Sequence, residues 1–184
     1  MTRRYRKDLL PNSTALWTIQ DAGAPDRLRR DGRLRADGRH VSPDYRPAYR
    51  WLVGELTSRI GPPPRGVRYP IWAWTERPDL RQIAHAPAGR PSVLLHLEVA
   101  ADRVALTDFL RWHAVLNNHY LTRSEAEWEA TERAPAADVR ASWQRVFDLS
   151  DSRDLAWEGA PVAQACLWEV RPEDVRRVEQ FVAR

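Results

Sequence analysis

Ser92-Val-Leu-Leu-His-Leu-Glu-Val99 carries the most decisive pattern in the chain. Val93, Leu95, Leu97 and Val99 alternate with Leu94, His96 and Glu98, the period-two signature of a strand with one wholly apolar face. Upstream, Ala15–Gln20 reads as a first strand, with Leu16, Thr18 and Gln20 on one side and Trp17 and Ile19 on the other. Tyr69–Trp74 predicts an aromatic strand, and Pro70 puts its start or a sheet edge there. Arg103–Leu106 and Val162–Val170 complete a set of about five strands.

Helical spacing fills the intervals. Pro25 opens a short helix anchored by Leu28 and stopped by Gly32. Tyr45, Tyr49, Leu52, Val53, Leu56 and Ile60 follow the i, i+3, i+4, i+7 rule, and Gly61 with Pro62–Pro64 ends that helix. Thr107 or Asp108 caps a helix from Phe109 to about Leu121, its inward stripe made of Phe109, Trp112, Leu116 and Tyr120 with His113 inside it. Ser124 and Glu127 form a capping box for a helix to Arg133, and Pro135 opens another with Val139, Trp143, Val146 and Phe147 inward. Pro172–Val182 reads as a last helix, with Val175, Val178 and Phe181 on its core side. Thr75–Pro91 and Asp148–Pro161 read as loops. The expectation is an α+β domain over residues 14–184, a small mixed or antiparallel sheet with helices around it, behind a flexible basic tail at 1–13.

Composition narrows the function classes. The chain has 184 residues, 43% of them hydrophobic, and its nine Trp exclude wholesale disorder. No apolar run approaches the ~20 residues of a membrane-spanning helix, and no apolar stretch follows the basic start as a secretory signal requires. A single cysteine, Cys166, makes neither an internal disulfide nor a multi-cysteine zinc site. A soluble, cytoplasmic protein without a membrane partner is the expectation. Residues 1–90 hold 18 basic against 9 acidic side chains, and residues 91–184 hold 11 against 16. The basic half suits nucleic acid or a phosphate-bearing ligand, with Arg27, Arg29, Arg30 and Arg33 as candidate contacts. The glycines form no G-x-G-x-x-G, no phosphate-loop motif or nucleophile elbow exists, and the five histidines lack metal-ligand spacing.

Four constellations can carry chemistry. His113 with Asp108, and Asn117 alongside, offers a general acid–base on an aromatic helix. His96 and Glu98 share a strand face, so the carboxylate can orient the imidazole. Trp72 and Trp74 share another face and can stack a planar ring. Gln164 shares a strand face with Cys166 and Trp168, where an amide must find partners or lose ~1–3 kcal/mol.

Leu16-Trp-Thr-Ile-Gln20, Tyr49-Arg-Trp51, Tyr69-Pro-Ile-Trp-Ala-Trp74, Thr107-Asp-Phe-Leu-Arg-Trp-His113 with Leu116-Asn117, and Gln164-Ala-Cys-Leu-Trp168 together resemble a bacterial family of uncharacterised domains. The plan is also distantly similar to the ADP-ribosyltransferase fold, which opens with a strand, short helix and glycine and sets a Glu, less often Gln, on a late strand. That resemblance implies NAD as the cofactor, consumed as substrate, with Thr18 at the first-strand position, Tyr49 in the middle and Gln164 on the late strand. Joined to the constellations above, it gives the expected site: a catalytic group of Gln164, His113 and Asp108, and cofactor contacts from Thr18, Gln20, Tyr49, Arg50, Trp72 and Trp74, while the histidine spacing leaves no metal expected. A neutral Gln cannot supply the negative charge that steadies a cationic transition state. The functions implied are therefore nucleobase, nucleotide or small-molecule modification, NAD hydrolysis, or binding alone. The alternatives are a non-enzymatic module binding nucleic acid or protein through the basic half, and a hydrolase or transferase using His113 with Asp108.

Overall fold

A computed structural model describes residues 12–39, 41–81, 88–131, 134–150 and 162–183. Six strands form one antiparallel sheet in the order β4-β5-β2-β1-β3-β6. They are β1 (Ser13–Asp21), β2 (Ile71–Trp74), β3 (Pro91–Ala100), β4 (Ala105–Asp108), β5 (Ala163–Leu167) and β6 (Val175–Val182). The decisive strand β3 behaves as its alternation predicts: Val93, Leu95, Leu97 and Val99 are fully buried on one face. They meet Leu16 of β1, Ile71 and Ala73 of β2, and Ala165 and Leu167 of β5. Helix α1 (Ala24–Asp31) closes that layer with Ala24 and Leu28, and Gly32 ends it in the left-handed region at φ 66°.

The opposite face holds the second core. Helix α2 (Arg46–Ile60) contributes Ala48, Leu52 and Leu56, and α3 (Phe109–Leu116) contributes Trp112 and Val115. Helix α4 spans Glu125–Thr131, while α5 (Ala136–Ser142) runs into a 3-10 turn at Trp143–Phe147 that buries Trp143 and Val146 here. Cys166 and Trp168 complete this side. The α+β class is thus the observed one, with the sheet antiparallel throughout. No helix among the described residues is long and apolar enough to cross a membrane.

Several boundaries differ from the sequence reading, and one element changes type. The expected helix over Pro172–Val182 is a 3-10 turn at Pro172–Asp174 followed by β6, the sixth strand. It pairs with β3 from Pro91↔Val182 to Leu97↔Val175, satisfying backbone groups that β3 would otherwise leave open. Asp174 fixes the turn: it accepts from Arg103 Nη1 and Nη2 at 2.6 and 3.0 Å and from the Arg171 amide at 2.8 Å. As an edge, β6 carries Arg176, Arg177 and Glu179, charges that discourage pairing with another chain. The short strand expected at Arg103–Leu106 is shifted to Ala105–Asp108, and Val170 leaves β5 to bridge Leu34. Helix α3 stops at Leu116, five residues early, because Asn118 turns to φ 58°. The tail at 1–11, and parts of the loops read at 75–91 and 148–161, lie outside the described residues.

Gly38 packs its backbone directly against the Tyr69 ring. Its φ is 69°, and a Cβ there would stand 2.2 Å from two ring carbons of Tyr69. Gly38→Ala combines left-handed strain with overpacking, so a loss of about 2–3 kcal/mol in urea denaturation is expected. Gly32→Ala, also left-handed but with open space around it, should cost about 1 kcal/mol. Equal costs for the two would remove Tyr69 contact as the cause.

Candidate functional site

Trp72 and Trp74 point from β2 toward the helical second core, and β5 brings Gln164 directly opposite Trp74. Over them lies α3, whose Asp108 cap accepts from the Leu110 and Arg111 amides at 2.8 and 3.2 Å and so fixes where the helix begins. Phe109, Trp112, His113 and Leu116 descend from that start, one helical turn after another. Together with Ile19 of β1 and Tyr49 of α2 they enclose a cleft of about 300 Å³.

The cleft wall is almost continuous aromatic surface. Trp72 lies 5.2 Å from Trp112 between ring centres, and Tyr49 meets Trp112 edge-on at 5.2 Å. Trp74 stands 5.1 Å from Phe109, which meets His113 at 4.4 Å. Trp72 Nε1–H donates to the Tyr49 hydroxyl at 3.1 Å, leaving that phenol's own O–H as a donor. Burial pushes the Tyr49 phenol up, against the pull of the Trp72 bond, so it stays protonated at neutral pH. Into this wall Gln164 sets a polar group: the residue is 5% exposed and its Nε2 has no hydrogen-bond partner. Such a donor is costly to leave unmade, so a carbonyl or carboxylate acceptor on a planar ring suits it.

The structure brings together Gln164, Tyr49, Trp72, Trp74 and His113 from the sequence-derived set. It does not bring Thr18 or Gln20 there. Both side chains sit on the other face of β1: Thr18 Oγ1–H donates to the Trp72 carbonyl at 2.8 Å and accepts from Gln20 Nε2 at 2.9 Å. Ile19 is the β1 residue that lines the cleft, one position away and hence on the opposite face. Asp108 is a buried helix cap, and nothing pairs it with His113. His113 is exposed at the rim instead of within an inward stripe, its Nδ1–H donating to the Phe109 carbonyl at 2.8 Å. Asn117 is the α3 C-cap and donates to the His113 carbonyl. Phe109, Trp112 and Leu116 were legible as an apolar stripe, but nothing in their spacing separates a cleft lining from a core. Arg50 lines a neighbouring groove on the far side of Tyr49.

The remaining candidates resolve into structural roles. Burial pushes the Cys166 thiol up, so it is an inert core group. Glu98 is held by Ser13 Oγ–H and Arg176 Nε–H, both at 2.8 Å, instead of orienting His96. His96 stacks on Trp17, its cross-strand neighbour, with 5.0 Å between rings and 4° between planes. Burial holds the imidazole below its ordinary value; Glu98 raises it, and Arg176 and Arg177 lower it further. A base depressed in the folded state binds more protons unfolded, so stability is lost as pH falls below about 6.5. His96→Phe keeps a ring against Trp17 and is expected to flatten the stability–pH curve in the range just below about pH 6.5. A wild-type slope in urea denaturation across that range would show that His96 does not set it.

Residues 15–137 match a domain of unknown function, DUF3841. The chain belongs to the DUF3841 family. No curated protein and no solved structure matches it. The match runs from within β1 to the first residues of α5 and includes every aromatic wall of the cleft. Gln164 lies beyond it, so the DUF3841 cleft is completed by a strand outside the matched span.

Proposed function

We propose that this DUF3841 protein is a nucleotide-binding domain that takes NAD or a related nucleotide, its planar ring held in the aromatic cleft, in the manner of an ADP-ribosyltransferase-like protein. The unpartnered Gln164 Nε2 among Trp72, Trp74 and Trp112 is the observation that carries the reading. Stacking on indole tolerates any planar ring and contributes about 1–3 kcal/mol per base. The amide adds direction, favouring a ring with an exocyclic carbonyl. Such a nucleotide brings a glycosidic bond to the cleft. Gln164 is neutral and so orients the ring without supplying charge or taking a proton. His113, at the rim, has Nδ1 engaged, which leaves Nε2 as the acceptor of the neutral ring.

The nucleic-acid alternative has less to stand on. Of its four candidate arginines, Arg27, Arg29 and Arg30 are ion-paired to Asp21, Asp26 and Asp31 respectively, and only the exposed Arg33 makes no ion pair among the described residues. Three indoles in one cleft also supply the assay. Adding NAD, nicotinamide or adenine is expected to quench tryptophan fluorescence saturably, with calorimetry giving the affinity. Absence of saturation and of heat for all of them at millimolar concentration would overturn the reading.

A further inference from the structure

A second groove, of about 520 Å³, lies on the other side of Tyr49. Its lining combines Pro43, Arg46, Pro47, Tyr49, Arg50 and Val53 from the start of α2 with Val67, Arg68 and Tyr69 ahead of β2. Arg46 and Arg50 are one helical turn apart on the same face of α2, and Arg68 enters from the loop opposite. All three are exposed, and none makes a side-chain hydrogen bond or ion pair among the described residues. Arg33, Arg65, Arg90, Arg140 and Arg177 also make no ion pair among the described residues, but none of them lines this groove. Arg27, Arg29, Arg30, Arg35, Arg39, Arg59, Arg77, Arg81 and Arg103 each hold a carboxylate. Asp44, just ahead of α2, pairs with none of the three. Three guanidinium groups around one groove repel one another until an anion enters, and their planar forks match phosphate oxygens two at a time.

Tyr49 is the partition between the two spaces. Its ring meets Trp112 at 5.2 Å on the cleft side and Tyr69 at 5.3 Å on the groove side. The cleft, at about 300 Å³, stands at the lower limit of small-ligand pockets. It has room for a ring but not for a whole dinucleotide, whose remainder must leave past one of the walls.

We infer that the Arg46–Arg50–Arg68 groove is a phosphate subsite, binding the phosphate or pyrophosphate of the ligand whose ring occupies the cleft across Tyr49. The shared-ligand part rests on the reading given under Proposed function, whereas the anion site does not. Three probes separate them: nicotinamide, nicotinamide mononucleotide and inorganic pyrophosphate, each titrated by calorimetry at low and at physiological salt. The variants are Arg46→Gln/Arg50→Gln/Arg68→Gln and, as a charge control on exposed α5, Arg140→Gln. Pyrophosphate is expected to bind the unaltered chain more weakly as salt rises, to lose at least 10-fold in the triple variant, and to be unaffected by the control. The mononucleotide is expected to bind at least 10-fold more tightly than nicotinamide, and the triple variant should narrow that ratio to under 3. No pyrophosphate binding, or equal binding by the triple variant, overturns the phosphate site. Pyrophosphate binding that depends on the three arginines, with neither ring compound bound, leaves the anion site standing and rejects the shared ligand together with the cleft reading. A mononucleotide-to-nicotinamide ratio that the triple variant leaves unchanged rejects the shared ligand while the cleft reading survives.

Discussion

The melting temperature of a Trp143→Ala chain is expected to fall by about 6–20 °C. Trp143 is 2% exposed, in the turn after α5, and it packs against α2 and α3 from behind the cleft. Its ring meets Trp51 edge-on at 5.3 Å, and its Nε1–H donates to the His119 carbonyl at 2.9 Å. Truncating a buried Trp to Ala costs about 3–5 kcal/mol, since the transfer energy is lost and a cavity remains. For a chain of this length each 1 kcal/mol corresponds to about 2–4 °C. Trp143→Phe separates the contributions. It keeps an aromatic ring near Trp51 but strands the His119 carbonyl, so it should lose less than half as much. A Trp143→Ala chain within 2 °C of the parent would mean that this side of the molecule is not one cooperative core.

The core on the other face of the sheet is partly legible in the sequence. The alternation of Val93, Leu95, Leu97 and Val99 is a property of one strand, and one strand suffices to read it. The type of the last element depends on its neighbour instead. Val175, Val178 and Phe181 fall three apart, which imitates a helix stripe, but the open edge of β3 supplies a ladder that no local pattern reveals. Of those three apolar groups Val178 finds no cover on β6, and neither does Val182 beyond them.

The site was legible in the same uneven way. Alternation divides β1 into two faces but does not say which one looks into a cleft; the resemblance points to Thr18, whereas Ile19 is the lining residue. Helix α3 is only eight residues long, and its buried residues are Arg111, Trp112 and Val115. Arg111 reaches the Arg145 carbonyl at 2.8 Å, which takes inward the position that spacing gave to His113. Gln164 stands out in the sequence by its local pattern, as a polar residue in an apolar strand. That signal survives because burying an amide is unfavourable wherever the strand happens to pair.

Gln164→Leu is therefore the most informative single change, because two of its effects have opposite signs. Leucine nearly fills the same volume and removes a buried donor that lacks a partner, whose burial costs about 1–3 kcal/mol. Stability in urea is expected to rise by about 1–2 kcal/mol, as when a group kept for binding is replaced by one suited to packing. Affinity for the ring ligand is expected to fall by about 10–100-fold, the loss of one hydrogen bond made in a desolvated cleft. Trp72 and Trp74 remain in the variant, so fluorescence still reports any binding that survives. A decrease in both quantities would identify Gln164 as a structural hydrogen-bonding group. A rise in stability with unchanged affinity would leave the aromatic walls as the binding determinants and the amide without a part in recognition. Only the divergence of the two readouts separates a site maintained at the expense of the fold from a polar residue that the fold itself requires.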